Sequence, residues 1–164
     1  MLVLIGLSFS SVQGQNLFAD LNGRSRQWIE HNYPDFKINP SFGESFDGFY
    51  KIDQMRCQDG GYIILMVGFD GYQRPDEVGT VSLYAKGCSE IVPDDDFAGW
   101  VAVFIEMFGL TGSIDKAEVM MNKPGNVMIM FPDLITFTAH MRYNSKSNFY
   151  YFYSSCEQIY PSKK

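Results

Sequence analysis

Two histidines and three cysteines, His31, His140, Cys57, Cys88 and Cys156, are the side chains from which a hydrolytic or metal centre would be assembled. Histidine titrates near neutrality and serves as a general base only within reach of a nucleophile and an orienting partner. His140 falls in a run that alternates with a period of two. Leu134, Thr136, Thr138, His140 and Arg142 share one side, and Ile135, Phe137, Ala139, Met141 and Tyr143 share the other. Cys156 belongs to the neighbouring strand but lies several residues along. A small secreted hydrolase using His140 with a nearby thiol or carboxylate is therefore one reading; a partly exposed polar strand face is the plainer one. His31 stands near the end of an N-terminal helix, where the dipole favours a cation whether or not chemistry happens. Gly-x-Ser-x-Gly, His-Glu-x-x-His, Cys-x-x-Cys and glycine-rich phosphate loops are all absent from the sequence.

Asp94, Asp95 and Asp96, with Glu90 nearby, present oxygen ligands of the kind calcium takes. Calcium loops separate their ligands with intervening residues and a glycine, whereas three consecutive Asp side chains diverge. They read as the N-cap and solvated first turn of a helix, and neither a metal nor a cofactor is expected. The compositional oddity is elsewhere, in 9 Met, 10 Tyr and 14 Phe among 164 residues. Met55, Met66, Met107, Met120, Met121, Met128, Met130 and Met141 are spread over predicted core elements. Flexible thioethers either fill irregular interiors or line adaptable apolar pockets. On the second reading, Met66, Met107, Met128, Met130, Tyr151 and Tyr153 form the contact set for a small apolar ligand or another protein. Association alone, as a structural or matrix component, is the third reading.

The formal charge of −6 comes with no clustered Lys and Arg. Phosphate-backbone affinity depends on such clusters, so nucleic acid is not an expected partner. The apolar run Leu2 to Phe9, followed by Val12 and Gly14 in the −3 and −1 places of a cleavage site, predicts a signal peptide over residues 1–14, shorter than usual and without a basic start. The mature chain, 15–164, is then one extracellular domain with no run long enough to span a bilayer. Three cysteines are too few for a disulfide scaffold. Pairing Tyr62–Phe69 with Val78–Ala85, Phe69 opposite Val78, brings Cys57 and Cys88 to one hairpin end and permits a bridge between them, with glycines at Gly60, Gly61 and Gly87 absorbing the mismatch. Cys156 reads as a buried free thiol.

These groups must be positioned by an α+β fold: two helices packed on a strongly bent antiparallel sheet. Phe18, Leu21, Trp28 and Ile29 predict a helix over 16–32, weakened at Gly23 and capped by Ser25 if it starts late. Phe97, Trp100, Val101, Phe104, Ile105 and Phe108 follow the i, i+3, i+4 series of a second helix, stopped at Gly109 and buried on most sides. Strands are expected at 49–55, 62–69, 78–85, 117–122, 127–131, 134–143 and 149–153, with a weaker piece at 36–42. The aromatic hairpin 134–153 should be central, and Tyr143 opposite Phe149 would pair Ala139 with Tyr153 on the apolar face and His140 with Phe152 on the other. Each half then reads as one helix followed by three or four antiparallel strands. That order resembles a cystatin-type roll written twice, which implies a doubled helix-plus-meander unit. The inhibitory Gln-x-Val-x-Gly motif is not found at the equivalent hairpin, so the resemblance implies no protease inhibition.

Overall fold

The structure, a computed structural model, describes residues 16–38, 49–69 and 75–159. The expected signal peptide and most of the weak strand at 36–42 lie outside them. The described residues form an α+β fold whose eight strands make one antiparallel sheet. The strands are β1 (Lys37–Ile38), β2 (Phe49–Arg56), β3 (Tyr62–Gly68), β4 (Thr80–Lys86), β5 (Glu118–Lys123), β6 (Asn126–Phe131), β7 (Ile135–Asn144) and β8 (Phe149–Gln158). Their spatial order is β1-β2-β3-β4-β8-β7-β6-β5. Each half of the chain thus supplies one uninterrupted meander, and the two meet along the antiparallel β4–β8 pair. The aromatic hairpin β7–β8 is central, as its apolar sequence demands.

Three α-helices are described where the sequence suggests two. The N-terminal segment is divided into α1 (Leu17–Leu21) and α2 (Arg26–Asn32), because Gly23 adopts φ +77 and Ser25 caps α2 by accepting from the Trp28 amide. Between them the backbone pairs with the 76–78 segment: Gly23 N–H donates to Val78 O (2.8 Å) and Val78 N–H to Arg24 O (2.9 Å). α3 (Phe97–Phe108) starts at Asp96, whose carboxylate accepts from the Gly99 amide. It stops at Gly109, in the left-handed region with φ +79. A Cβ there would overlap Asn16, so the stop also lets α1 approach α3. α3 is amphipathic rather than enclosed: Trp100, Phe104, Ile105 and Phe108 are buried, whereas Ala98, Ala102 and Glu106 face solvent.

The helices cover one face of the sheet. Trp100 stacks on Phe152 (centroids 4.9 Å) and Phe108 meets Phe137 edge-on (6.0 Å). Ile63, Leu65 and Val67 of β3, Val81, Leu83 and Ala85 of β4, and Val127, Ile129 and Phe131 of β6 complete this main core. Alternation sends Ile64 and Met66 to the opposite face, where with Tyr84 they form a second, smaller cluster. β3 is thus covered on both sides, as its unbroken apolar sequence requires. β5 is the described edge strand farthest from β1, and a register shift between Val119 and Met121 leaves Val119 58% and Met120 54% exposed. Met120 is consequently not a core residue, because among the described residues its strand has no neighbour beyond it and the bulge turns it outward.

Both hairpin registers differ from expectation by one residue. β3 pairs with β4 as Gly68↔Thr80, and β7 with β8 as Tyr143↔Tyr150 and His140↔Tyr153. A slip of one exchanges the faces of a strand. Phe152, not Tyr153, therefore joins Phe137 and Ala139 in the main core, and Tyr153 lies beside His140 on the other face. The expected disulfide is formed: Cys57 and Cys88 are bridged with their Cα atoms 5.4 Å apart. Gly61 and Gly87 allow it, since a Cβ on Gly61 would collide with the Gly87 carbonyl. Asp59 closes the corner, accepting from the Ser89 amide (2.7 Å) and hydroxyl (2.6 Å), contacts that hold its carboxyl below the usual range.

Candidate ligand-binding face

Strand register builds the face opposite the helices row by row. Met66, Ser82, Ser155, Thr138 and Met128 are successive neighbours across β3, β4, β8, β7 and β6. One step along the strands, Ile64, Tyr84, Tyr153, His140 and Asn126 make a parallel row. From β3 to β6 neither row contains Asp, Glu, Lys or Arg, but on β2 the first row continues into Lys51, directly opposite Met66. The next row, Arg56, Tyr62, Lys86, Tyr151 and Arg142, alternates cations with tyrosines. On the far side of the uncharged rows, Thr80, Glu157, Thr136 and Met130 are aligned. Of the residues expected to contact a ligand, Met66, Met128, Met130, Tyr151 and Tyr153 share this face. Met107 does not, because it projects from α3 and packs against the main core. Met66 is fully buried beneath its neighbours, whereas Met128, Met130, Tyr151 and Tyr153 are half-buried.

Several hydroxyls of this face pair with one another. Ser82 Oγ and the Tyr153 hydroxyl are 3.1 Å apart, Thr138 Oγ1 and Ser155 Oγ 2.7 Å apart, and Thr136 Oγ1 donates to the Met130 sulfur at 3.6 Å. The Tyr151 hydroxyl pairs with Ser147 Oγ at 3.0 Å. Aromatic contacts tie the rows together, Tyr84 lying 6.1 Å from Tyr62 and 5.8 Å from Tyr151 between centroids. Burial pushes the Tyr84 and Tyr62 phenols up, so both stay neutral. The His140 ring lies 4.9 Å from that of Tyr153, and burial, aided by the Arg142 charge, holds its pKa below the ordinary histidine value. At neutral pH the middle of the face carries no formal charge from β3 to β6, and Lys51 of β2 borders it beside Met66.

His140 makes no side-chain hydrogen bond among the described residues. Cys156 lies on the other side of the sheet, fully buried opposite Phe137, and burial raises its thiol pKa far above the ordinary value. The geometry therefore does not join this histidine to this thiol. His31 stands exposed in the last turn of α2. Comparison with models of known protein families, with curated proteins and with solved structures finds no match to this chain. The likeness to a cystatin-type roll accordingly remains one of element order, and the face must be read from its own side chains. Sequence reasoning set Thr138 beside His140 but missed Ser82 and Ser155 as members of the face. Their signal was present, since hydroxyl residues at alternate positions mark one side of a strand, but distant β4 had to be aligned with the β7–β8 hairpin before they met.

Proposed function

We propose that this protein is a secreted, non-enzymatic binding protein that takes a small apolar ligand on the sheet face turned away from the helices. The observation that carries this reading is the pairing of hydroxyls in the middle of the face, Ser82 with Tyr153 and Thr138 with Ser155. A ligand laid over Ser155, Thr138 and Tyr153 strips water from groups that already have partners, so the desolvation cost of covering them is small. Half-buried Met128, next to Thr138 across the β6–β7 pair, supplies deformable apolar contact. The Cys57–Cys88 bridge supports an oxidising, extracellular compartment, and no described helix is long and apolar enough to cross a membrane.

Fluorescence titration with the neutral probe N-phenyl-1-naphthylamine tests the reading. Saturable enhancement is expected, weakened at least about tenfold by Met128→Asp and unchanged by Val119→Asp on the exposed edge strand. Absence of saturable binding, or equal weakening by the two substitutions, overturns it. Circular dichroism of both variants separates lost binding from lost fold. Amino-terminal sequencing of the exported product should begin at Gln15, and an intact Met1 to Gly14 in that product overturns the assigned cleavage.

A further inference from the structure

Among the described residues no carboxylate pairs with the cations at the end of the rows of this face. Arg56, Lys86 and Arg142 are neighbours across β2, β4 and β7, with Tyr62 and Tyr151 between them. None forms an ion pair among the described residues, although the chain carries a net charge of −6. Lys86 instead holds its ammonium over two rings, 4.6 Å from the Phe149 centroid and 5.5 Å from that of Tyr151. Arg142 is exposed beside Tyr151 and presents its planar fork to solvent. The opposite end of the same strands carries Glu157, between Thr80 and Thr136. From Arg142 and Tyr151 to Thr138 and Ser155 is four residues of strand, about 13 Å. Across β4, β8 and β7 the face is thus polarised along its length, cationic at one end, uncharged through the middle and acidic at the other, with Lys51 lying outside this strip on β2.

We infer that the ligand is an amphipathic monocarboxylate whose head lies between Lys86 and Arg142 and whose apolar body runs along β7 and β8 over Tyr153 toward Met128. This deepens the reading given under the proposed function and rests on it. A carboxylate accepts the Arg142 fork in plane, whereas Lys86, held by its two rings, contributes a positioned point charge. Entry the other way round sets the head against Glu157. A neutral ligand of the same length gains the apolar contacts but leaves both cations unpaired.

Competition against N-phenyl-1-naphthylamine by decanoate and by 1-decanol, two chains of equal length, tests this. Decanoate is expected to compete about tenfold better, the worth of a charge-assisted hydrogen bond. That preference should shrink in Lys86→Met and in Arg142→Met and as salt is added, with 1-decanol unaffected by either substitution. Melting temperatures of the two variants confirm that the sheet persists, and because Arg142 is exposed its substitution leaves the fold intact. Equal competition by the two chains overturns the carboxylate head and leaves the apolar face standing. If neither chain competes, nor the probe itself binds, both readings fall. A decanoate preference that survives both substitutions assigns the head to another place and overturns the inference.

Discussion

Replacing Phe152 and Tyr153 in turn reads the sheet directly, because adjacent residues of β8 serve opposite faces. Phe152 is 1% exposed, stacked on Trp100 at 4.9 Å between centroids, and opposite Met141 in the β7 register. Phe152→Ala removes a fully buried ring at the point where α3 meets the sheet, and substitutions of this kind cost about 3–5 kcal/mol. Tyr153 is half-buried and its hydroxyl is bonded to Ser82, so Tyr153→Ala loses part of a ring and one hydrogen bond, about 1–2 kcal/mol. For a chain of this size each kcal/mol moves the melting temperature by about 2–4 °C. Phe152→Ala should then melt about 6–20 °C lower and Tyr153→Ala about 2–8 °C lower. Urea titration of both variants, with slopes checked against the parent, converts these shifts to free energies. A larger loss in Tyr153→Ala than in Phe152→Ala refutes the register, because it is what Tyr143 opposite Phe149 would produce. Equal losses refute the assignment of the second face as the half-exposed one.

Cys57→Ser and Cys88→Ser should each cost about 3–4 kcal/mol, the loop-closure value for a separation of 31 residues, and the double variant should cost little more; additive losses in thermal melts would argue against the bridge. Cys156, fully buried and with a raised thiol pKa, should resist iodoacetamide in the native protein and react only as fast as the chain unfolds, so prompt native labelling followed by mass spectrometry would contradict its placement. Because burial lowers the folded-state pKa of His140, the unfolded chain takes up that proton more readily. Stability should therefore be undiminished above the ordinary histidine range and fall as pH drops below about 6.5, and His140→Gln should flatten that part of the profile. An unchanged profile in the variant would remove His140 as the cause.

How far the sequence could be read depended on whether a residue's type distinguishes one face from the other. α3 was legible because Phe97, Trp100, Phe104, Ile105 and Phe108 contrast with Glu106 and the small Ala98 and Ala102, and because Asp96 and Gly109 mark its ends. The Cys57–Cys88 bridge survived a one-residue error in register, since Gly61 and Gly87 allow the backbones to approach at that corner. The aromatic hairpin was not legible to the residue. Phe149-Tyr150-Tyr151-Phe152-Tyr153 presents a ring at every position, so hydrophobicity alone cannot choose between registers. Turn chemistry makes the choice: Asn144 Oδ1 accepts from the Lys146 and Ser147 amides, and Asn148 takes φ +56, closing a loop of 145–148. An Asx-turn at Asn144 was the available signal. The division of the first helix was visible in Gly23 and Ser25, whereas the β4–β8 pairing left no local trace, since it joins segments about seventy residues apart.

That non-local pairing is also what creates the candidate face. Ser82 and Tyr84 come from the first meander, and Tyr151, Tyr153 and Ser155 from the second. The hydrogen bond between Ser82 and Tyr153 and the ring contact between Tyr84 and Tyr151 both cross the seam. Neither half of the chain therefore holds the polarised strip by itself: β4 brings Lys86 to the cationic end, and β7 and β8 bring Arg142 and the uncharged middle. On the helix side the same two strands meet through Val81 and Cys156 and through Ala85 and Phe152, with Trp100 laid across Phe152. One seam thus has an apolar side that the helices cover and a side of paired hydroxyls and rings that they do not. A chain selected for stability alone gains more from burying both sides. On the proposed function, the hydroxyls that pair on this side, with cations at its end that form no ion pair among the described residues, are what a ligand arriving from solution would meet.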